Sequence, residues 1–467
     1  MHYISTRGAA PTLGFADALL AGLARDGGLY LPLSVPHLPP DAIRALRGVP
    51  YPEVAARIMA PFIDDDFDQD EMKSLTAGAY SGFRHAAVAP LTQVDNNLFA
   101  LELFHGPTLA FKDFAMQWLG RAMNRELRQR GARATIVGAT SGDTGAAAIE
   151  AFAEQSQVEV FILYPHGRVS DVQRRQMTTV NRANVHALAM EGSFDDCQRI
   201  VKDLFADLAL RDEMRLSGVN SINWARILAQ IVYYFAGAVA LGAPDRPVSF
   251  AVPTGNFGDV LAGYYAKRMG LPIERLIIAT NDNDILVRAL ANGSYAPKEV
   301  KATQSPSMDI QVSSNFERLL FEASGRNPDE VVARMSALAK EGSFTIPAPA
   351  LQLIRADFDA FRVDEAACAE EMGRAYRLSG MIIDPHSAVG VHAARRALGA
   401  APATPVIALG TAHPAKFPDA VERATGVRPP LPEPLSDLME RKEAIVVLPN
   451  KSRAVADYLR QTARAAA

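Results

Sequence analysis

The chain has 467 residues, 49% hydrophobic and 21% charged, a globular composition long enough for about two or three domains around a large core and a deep site. Its net charge is −4 with acids and bases interspersed, which excludes the basic footprint of a nucleic-acid binder and an anionic-membrane patch and leaves a small molecule as the expected partner. The two cysteines, Cys197 and Cys368, make neither a disulfide framework nor a zinc-ligand spacing, so no metal is expected and a reducing, cytoplasmic compartment is.

The chain opens with Met1-His2-Tyr3-Ile4-Ser5-Thr6-Arg7, and its first apolar patch is broken by Asp17 and followed by Arg25 and Asp26, unlike a secretion signal. Residues 1–92 alternate amphipathic stretches, 15–24, 41–46 and 52–59, with prolines and the acidic run Asp64-Asp65-Asp66, a pattern that predicts a small, mostly helical N-terminal domain. With Asp68 and Asp70 behind it, the run invites a calcium reading. It lacks the glycine and closing glutamate of an EF-hand, so a solvated helix start is expected.

From residue 93 to about 430 the texture becomes β/α alternation, expected to fold as one catalytic region of two subdomains with the site between them. The runs 134–137, 158–164, 185–190, 248–252, 276–280 and 406–409 are strand candidates, many of them apolar on both faces, as in mainly parallel sheets covered by helices, where ligands bind at the carboxyl ends of strands. The longest uncharged run, 231–243, is too short to span a bilayer and predicts a buried helix. The 431–467 tail, opening within the proline cluster Pro429, Pro430, Pro432 and Pro434 and ending in a helix over 454–465, is expected to be a packing appendage.

Lys112 follows an apolar stretch and opens a helix among Ala110, Phe111, Phe114 and Ala115. Such surroundings desolvate an amine and lower its pKa toward nucleophilic, Schiff-base chemistry. An ordinary lysine is the plainer alternative, although a cation is poorly placed at the positive end of a helix dipole. After the 134–137 strand comes Thr140-Ser141-Gly142-Asp143-Thr144-Gly145, whose hydroxyls and helix-start N–H groups suit an anion such as a carboxylate; a plain N-cap would need only one of these residues.

Ser221-Ile222-Asn223-Trp224-Ala225-Arg226 precedes the long apolar helix, and Arg226 at its mouth calls for a phosphate, a carboxylate or an internal acid as partner. After the 248–252 strand, Thr254-Gly255-Asn256-Phe257-Gly258-Asp259 has the makings of a phosphate cradle, with Asp259 expected to cap backbone N–H groups. It has neither the GK[ST] of a nucleotide P-loop nor the dinucleotide GxGxxG. After 406–409, Gly410-Thr411-Ala412-His413 offers the Thr411 hydroxyl to a crevice. His413 is close to neutral titration by type, and structural by its place beside Pro414.

Taken together, PTLAFKD around Lys112, GATSGDTG, PTGNFGD and LGTAHPAKF, with the opening STRG and LARDGGLYLP, resemble the threonine synthase family in its longer bacterial and fungal branch, over nearly the whole chain. The resemblance implies the tryptophan-synthase-β-like α/β fold (fold type II) and the cofactor pyridoxal 5'-phosphate. It implies conversion of O-phospho-L-homoserine and water to L-threonine and phosphate, and a monomer or homodimer. In that likeness Lys112 holds the cofactor, Gly255, Asn256, Phe257, Gly258 and Asp259 its phosphate, and Thr411 the pyridine nitrogen. Thr140, Ser141, Gly142, Asp143 and Thr144 surround the substrate carboxylate, and Ser221, Asn223 and Arg226 resemble substrate-phosphate ligands of the shorter branch. Threonine dehydration, β-replacement and a non-catalytic binding protein are the alternatives; none of them calls for the second phosphate site.

Overall fold

The structure, a computed structural model, describes residues 1–463. Two sheets organise it. One has six strands in the order Phe358–Arg362, Ile273–Thr280, Val248–Pro253, Val406–Gly410, Leu98–Glu102 and Leu91–Asp95, parallel except for the last pair. The other has five parallel strands, Val446–Pro449, Val185–Glu191, Val158–Pro165, Ala134–Ala139 and Leu216–Ser217.

Every residue of Val158–Pro165 and of Val248–Pro253 is buried, the consequence of near-continuous apolar runs covered by helices on both faces. All six strand runs expected from sequence lie in these sheets. The antiparallel hairpin Leu91–Asp95 with Leu98–Glu102 is additional; its turn places Asn97 at φ 54°, a conformation asparagine tolerates.

The uncharged run 231–243 lies mostly within the helix Trp224–Ala240, which is apolar nearly all round and buried along almost its whole length. The N-terminal helices Phe15–Ala21, Pro40–Arg44, Tyr51–Ile63 and Gln69–Tyr80 pack on this helix and on Lys112–Gln129. Tyr3 and Phe62 meet the Trp224 ring at 6.2 and 6.0 Å, and Phe15 meets Trp118 at 6.0 Å, so the N-terminal segment shares one core with the rest. The acidic run forms a 3-10 turn in which the Asp66 carboxylate accepts from the Ala16 amide, while Asp68 and Glu71 make a capping box for Gln69–Tyr80.

The tail does more than pack against the surface: Val446–Pro449 adds the edge strand of the five-stranded sheet, and Ser452–Thr462 lies on Phe194–Ala206. That last helix ends at Thr462; Arg464 and Ala465, expected within it, lie outside the described residues. No helix among the described residues is long and apolar enough to cross a membrane.

Candidate active site

A cavity of about 440 Å³ lies where the loops at the carboxyl ends of both sheets converge. Loops 140–144 and 218–222 come from the five-stranded sheet; loop 254–259, Thr411 and the turn bearing Lys112 come from the other.

Lys112 is the first residue of Lys112–Gln129, whose cap residue Phe111 supplies no side-chain bond. Its ammonium lies 3.3 Å from Asp143 Oδ2 and 4.7 Å from the centre of the Phe111 ring. Burial pulls this amine below the ordinary lysine range; Asp143 opposes that shift, and the charge of Lys416 adds to it. The turn is fastened to the neighbouring loop by Phe111 N–H to Thr411 O at 2.9 Å and His413 N–H to Leu109 O at 3.0 Å.

Asp143 lines the cavity, and its carboxylate is engaged by neighbouring side chains. Its Oδ1 accepts from Lys416 Nζ at 2.7 Å and Gln173 Nε2 at 2.9 Å, and its Oδ2 from Lys112 and, at 3.4 Å, Ser307 Oγ. Burial alone would raise this carboxyl, but the ammoniums of Lys416 and Lys112 outweigh it and hold the group well below the usual range. An anion flanked in this way has no proton to donate to a second carboxylate.

The rest of the 140–144 loop is built for an anion. Thr140 Oγ1 accepts from the amides of Gly142 and Gly145, both at 2.9 Å, which folds the turn. Gly142 sits at φ 138°, and a Cβ there would meet the Gln173 side chain at 2.4 Å. Ser141 and Thr144 line the cavity, and neither hydroxyl has a protein partner among the described residues.

The cradle runs from Val248–Pro253 into the helix Gly258–Arg268. Phe257 adopts a left-handed φ of 65° and buries its ring against Phe316 and Phe358 at 5.5 and 5.8 Å, so it offers the cavity only backbone. A Cβ on Gly255 would lie 3.0 Å from Ser307 O and 3.2 Å from Met308 Cα. Asn256 is exposed at the mouth, and Gly258 begins the helix with its first N–H groups lacking intrahelical acceptors.

Asp259 corrects an expectation: it caps no backbone. Its Oδ1 accepts from the phenols of Tyr233 at 2.5 Å and Tyr234 at 3.0 Å, its Oδ2 has no partner, and burial pushes the carboxyl up to about 6.

Asn223 is a further correction. Its Oδ1 accepts from Ala225 N at 3.0 Å and its Nδ2 donates to Leu19 O at 3.0 Å, so a fully buried cap of Trp224–Ala240 replaces the expected substrate ligand. Ser221 and the neighbouring Asn220 line the cavity instead. Arg226 also faces it, with one bond from Nη1 to Val219 O at 3.1 Å, Nε unpartnered and no acid paired to it among the described residues. Burial lowers its guanidinium to about 10.

His413 is structural: its Nδ1 accepts from Ala415 N at 3.1 Å, and burial, with the charge of Arg84, brings it down to about 4, far from neutral titration.

Three residues were absent from the expected set. Lys416 was visible in LGTAHPAKF without an assigned partner. Gln230 stands one helical turn beyond Arg226 in the cavity wall, its Oε1 unpartnered. His386 bonds Asp384 at 2.7 Å and accepts from Ser307 N at 3.2 Å; its sequence signal was the Asp-Pro start of its helix.

These residues fit pyridoxal phosphate. An unpartnered, buried hydroxyl at Thr411, a desolvated amine at Lys112 and a cradle with no room for a Cβ at Gly255 are groups of the kinds that would suit its ring nitrogen, aldehyde and phosphate.

Comparison with known proteins agrees with this geometry. Residues 2–80 match the family "Threonine synthase N terminus", 84–348 "Pyridoxal-phosphate dependent enzyme" and 387–459 "Threonine synthase, C-terminal". A threonine synthase of Pseudomonas aeruginosa is 51% identical over 99% of this chain and 98% of its own. The crystal structure of a PLP-bound threonine synthase from Brucella melitensis superposes with TM-score 0.96 at 58% identity, covering 99% of this chain and all of that one. A yeast threonine synthase structure gives TM-score 0.93 at 40% identity over 99% and 98% of the two chains.

Proposed function

The chain belongs to the threonine synthase family of pyridoxal-phosphate-dependent enzymes, and from that premise we propose that it converts O-phospho-L-homoserine and water to L-threonine and phosphate. The observation that carries the reading is the buried amine of Lys112, set beside a phosphate cradle in a cavity that also holds Arg226, a cation with no acid paired to it among the described residues. One phosphate then belongs to the cofactor and the other to the substrate, which is what separates this reaction from dehydration or β-replacement.

When bound, the cofactor supplies the electron sink for carbanion chemistry. The protein's share is to bind, orient and move protons. Lys112 Nζ would hold the cofactor and, as a free amine, would take the proton from Cα and by its reach serve Cβ. Ser141 and Thr144 hydroxyls, with the N–H groups at the start of Asp143–Phe152, hold the substrate carboxylate. Arg226 and Ser221 hold the γ-phosphate, which leaves Cγ with the bonding pair; Lys112 carries the proton taken from Cβ to Cγ and returns one to Cα, and water gives its hydroxyl to Cβ and its proton to the released phosphate. Thr411 Oγ1 meets the ring nitrogen as a neutral partner, which tempers how far charge is drawn into the ring.

The organisation proposed for this work is an N-terminal helical domain over 1–92, a catalytic region over 93–430 and a tail over 431–467. All the residues assigned to it lie on one chain, which suits a monomer or a homodimer working in the cytoplasm, where Cys197 and Cys368 stay as thiols. The test is product analysis with O-phospho-L-homoserine: equimolar threonine and phosphate are expected, and 2-oxobutanoate or no phosphate release would overturn the reading.

A further inference from the structure

Lys416 is fully buried and does not line the cavity, yet it bonds the surroundings of Lys112 on two sides. In front, its ammonium lies 2.7 Å from Asp143 Oδ1, on the carboxylate whose other oxygen faces Lys112 at 3.3 Å. Behind, it donates to Thr108 O at 2.8 Å. Thr108 is itself locked to the residue after Lys112, its amide and hydroxyl donating to Asp113 at 2.8 and 2.6 Å. One ammonium therefore fixes both the anion that faces the amine and the turn that carries it.

Two lysines share one carboxylate in a site withdrawn from water. Asp143 has its shorter contact with Lys416, and both ammoniums together would leave an excess buried cation. The other charged or titratable groups facing Lys112 are Arg226 on the long apolar helix and Asp259 at the start of Gly258–Arg268. His386 acts on Asp143 from the start of its own helix, and Lys202 and Asp309 stand further along the cavity wall. Arg226 adds a further positive charge, and Asp259 is bound by two phenols, so neither relieves the excess.

We propose that Lys416 is a positioning residue for the reaction: it occupies Asp143 so that the Lys112 nitrogen sheds its proton at neutral pH, and it holds the 108–113 turn in place. The inference rests on Lys112 being the cofactor lysine. It extends the reading of the site to a residue that touches neither substrate nor cofactor.

The test follows the visible absorption of the bound cofactor in the holoenzyme against pH. Lys416→Met removes the charge and keeps the length; with Asp143 then answering to Lys112 alone, the midpoint rises by about one unit or more, a tenfold or larger fall in the ratio of deprotonated to protonated form at a given pH. A folded, cofactor-loaded Lys416→Met with the wild-type midpoint overturns the proposal. Should that variant fail to fold, Asp143→Asn combined with Lys416→Met removes the carboxylate together with the ammonium in its shorter contact, so neither of that pair is left buried without the other. The two losses offset each other, so its midpoint stays within about half a unit of wild type; a fall of more than about one unit would mean that Asp143 acts on Lys112 without Lys416, and the proposal fails. A reduced cofactor adduct on a lysine other than Lys112 would remove the assignment beneath it, an outcome distinct from an unshifted midpoint.

Discussion

The amide of Phe111 donates to the carbonyl of Thr411 at 2.9 Å, so the lysine-bearing turn is fastened directly to the residue that carries the Thr411 hydroxyl, with the His413 amide to Leu109 carbonyl bond beside it. Thr411 is further fixed by its amide, which donates to Ser387 Oγ at 3.1 Å, and that hydroxyl in turn donates to Asp384. Only Thr411 Oγ1 is left without a partner. A group so held, with its hydroxyl free, is suited to meet one ring atom of a ligand anchored at Lys112.

Replacing that neutral partner by an acid should therefore alter the electronics of the bound cofactor without disturbing its attachment. Thr411→Asp is expected to load with cofactor but to change its visible absorption during turnover and lower kcat by about 10-fold or more. Unchanged spectra and an unchanged product ratio would remove Thr411 from the ring nitrogen.

Arg226 separates binding from stability. Its guanidinium is buried with one backbone bond and no acid, an arrangement that costs the free protein energy. Arg226→Met should raise KM for O-phospho-L-homoserine by about 10- to 100-fold, the worth of a charge-assisted bond or two, while leaving cofactor affinity unchanged and the melting temperature equal or higher. An unchanged KM would place the substrate phosphate elsewhere.

Asp259 predicts a pH dependence of stability. Its carboxyl rises from 3.8 to about 6 in the fold, so the folded state binds the proton more tightly than the unfolded chain. Stability contributed by this group is complete below the unfolded value and is lost as pH rises through the folded one, a difference of about 3 kcal/mol. Asp259→Asn, which keeps an acceptor for Tyr233 and Tyr234, should make the cofactor-free protein more stable than wild type at pH 8 by about 1–3 kcal/mol, with the gap closing between about pH 6 and 4. Denaturant titrations of both proteins across that range measure it; a gap independent of pH would refute the buried-acid account.

Gly255 gives a steric test. With Ser307 O and Met308 Cα at 3.0 and 3.2 Å from where a Cβ would sit, Gly255→Ala must push the 306–310 segment or the cradle aside. Cofactor affinity should fall by about 10-fold or more while the strand and helix on either side keep the fold stable, as read by cofactor titration and circular dichroism.

What could be read from the chain alone was local. The apolar strand runs, the loops that follow them and the placing of Lys112 at a helix start are short-range patterns, and the strands fall where the pattern put them. The hairpin before Lys112 was missed because Leu91–Asp95 is short and polar-punctuated, which leaves its partner Leu98–Glu102 as an isolated short apolar run. The partners of the site's charged groups were not legible, because they come from distant segments. Asp259 meets tyrosines 25 and 26 residues away, Lys416 meets Asp143 and Thr108 across most of the chain, and Asn223 reaches Leu19. Residue type gave the chemistry of each group; only the fold decided whether its polar atoms were free for a ligand or already used.

The central claim is that Lys112 is the covalent anchor. Borohydride reduction of the cofactor-loaded protein, followed by peptide mapping, tests it most directly. The account predicts a single pyridoxyl adduct, on Lys112, in the peptide containing Phe111-Lys112-Asp113. An adduct on Lys416 or any other lysine, with Lys112 unmodified, would contradict it.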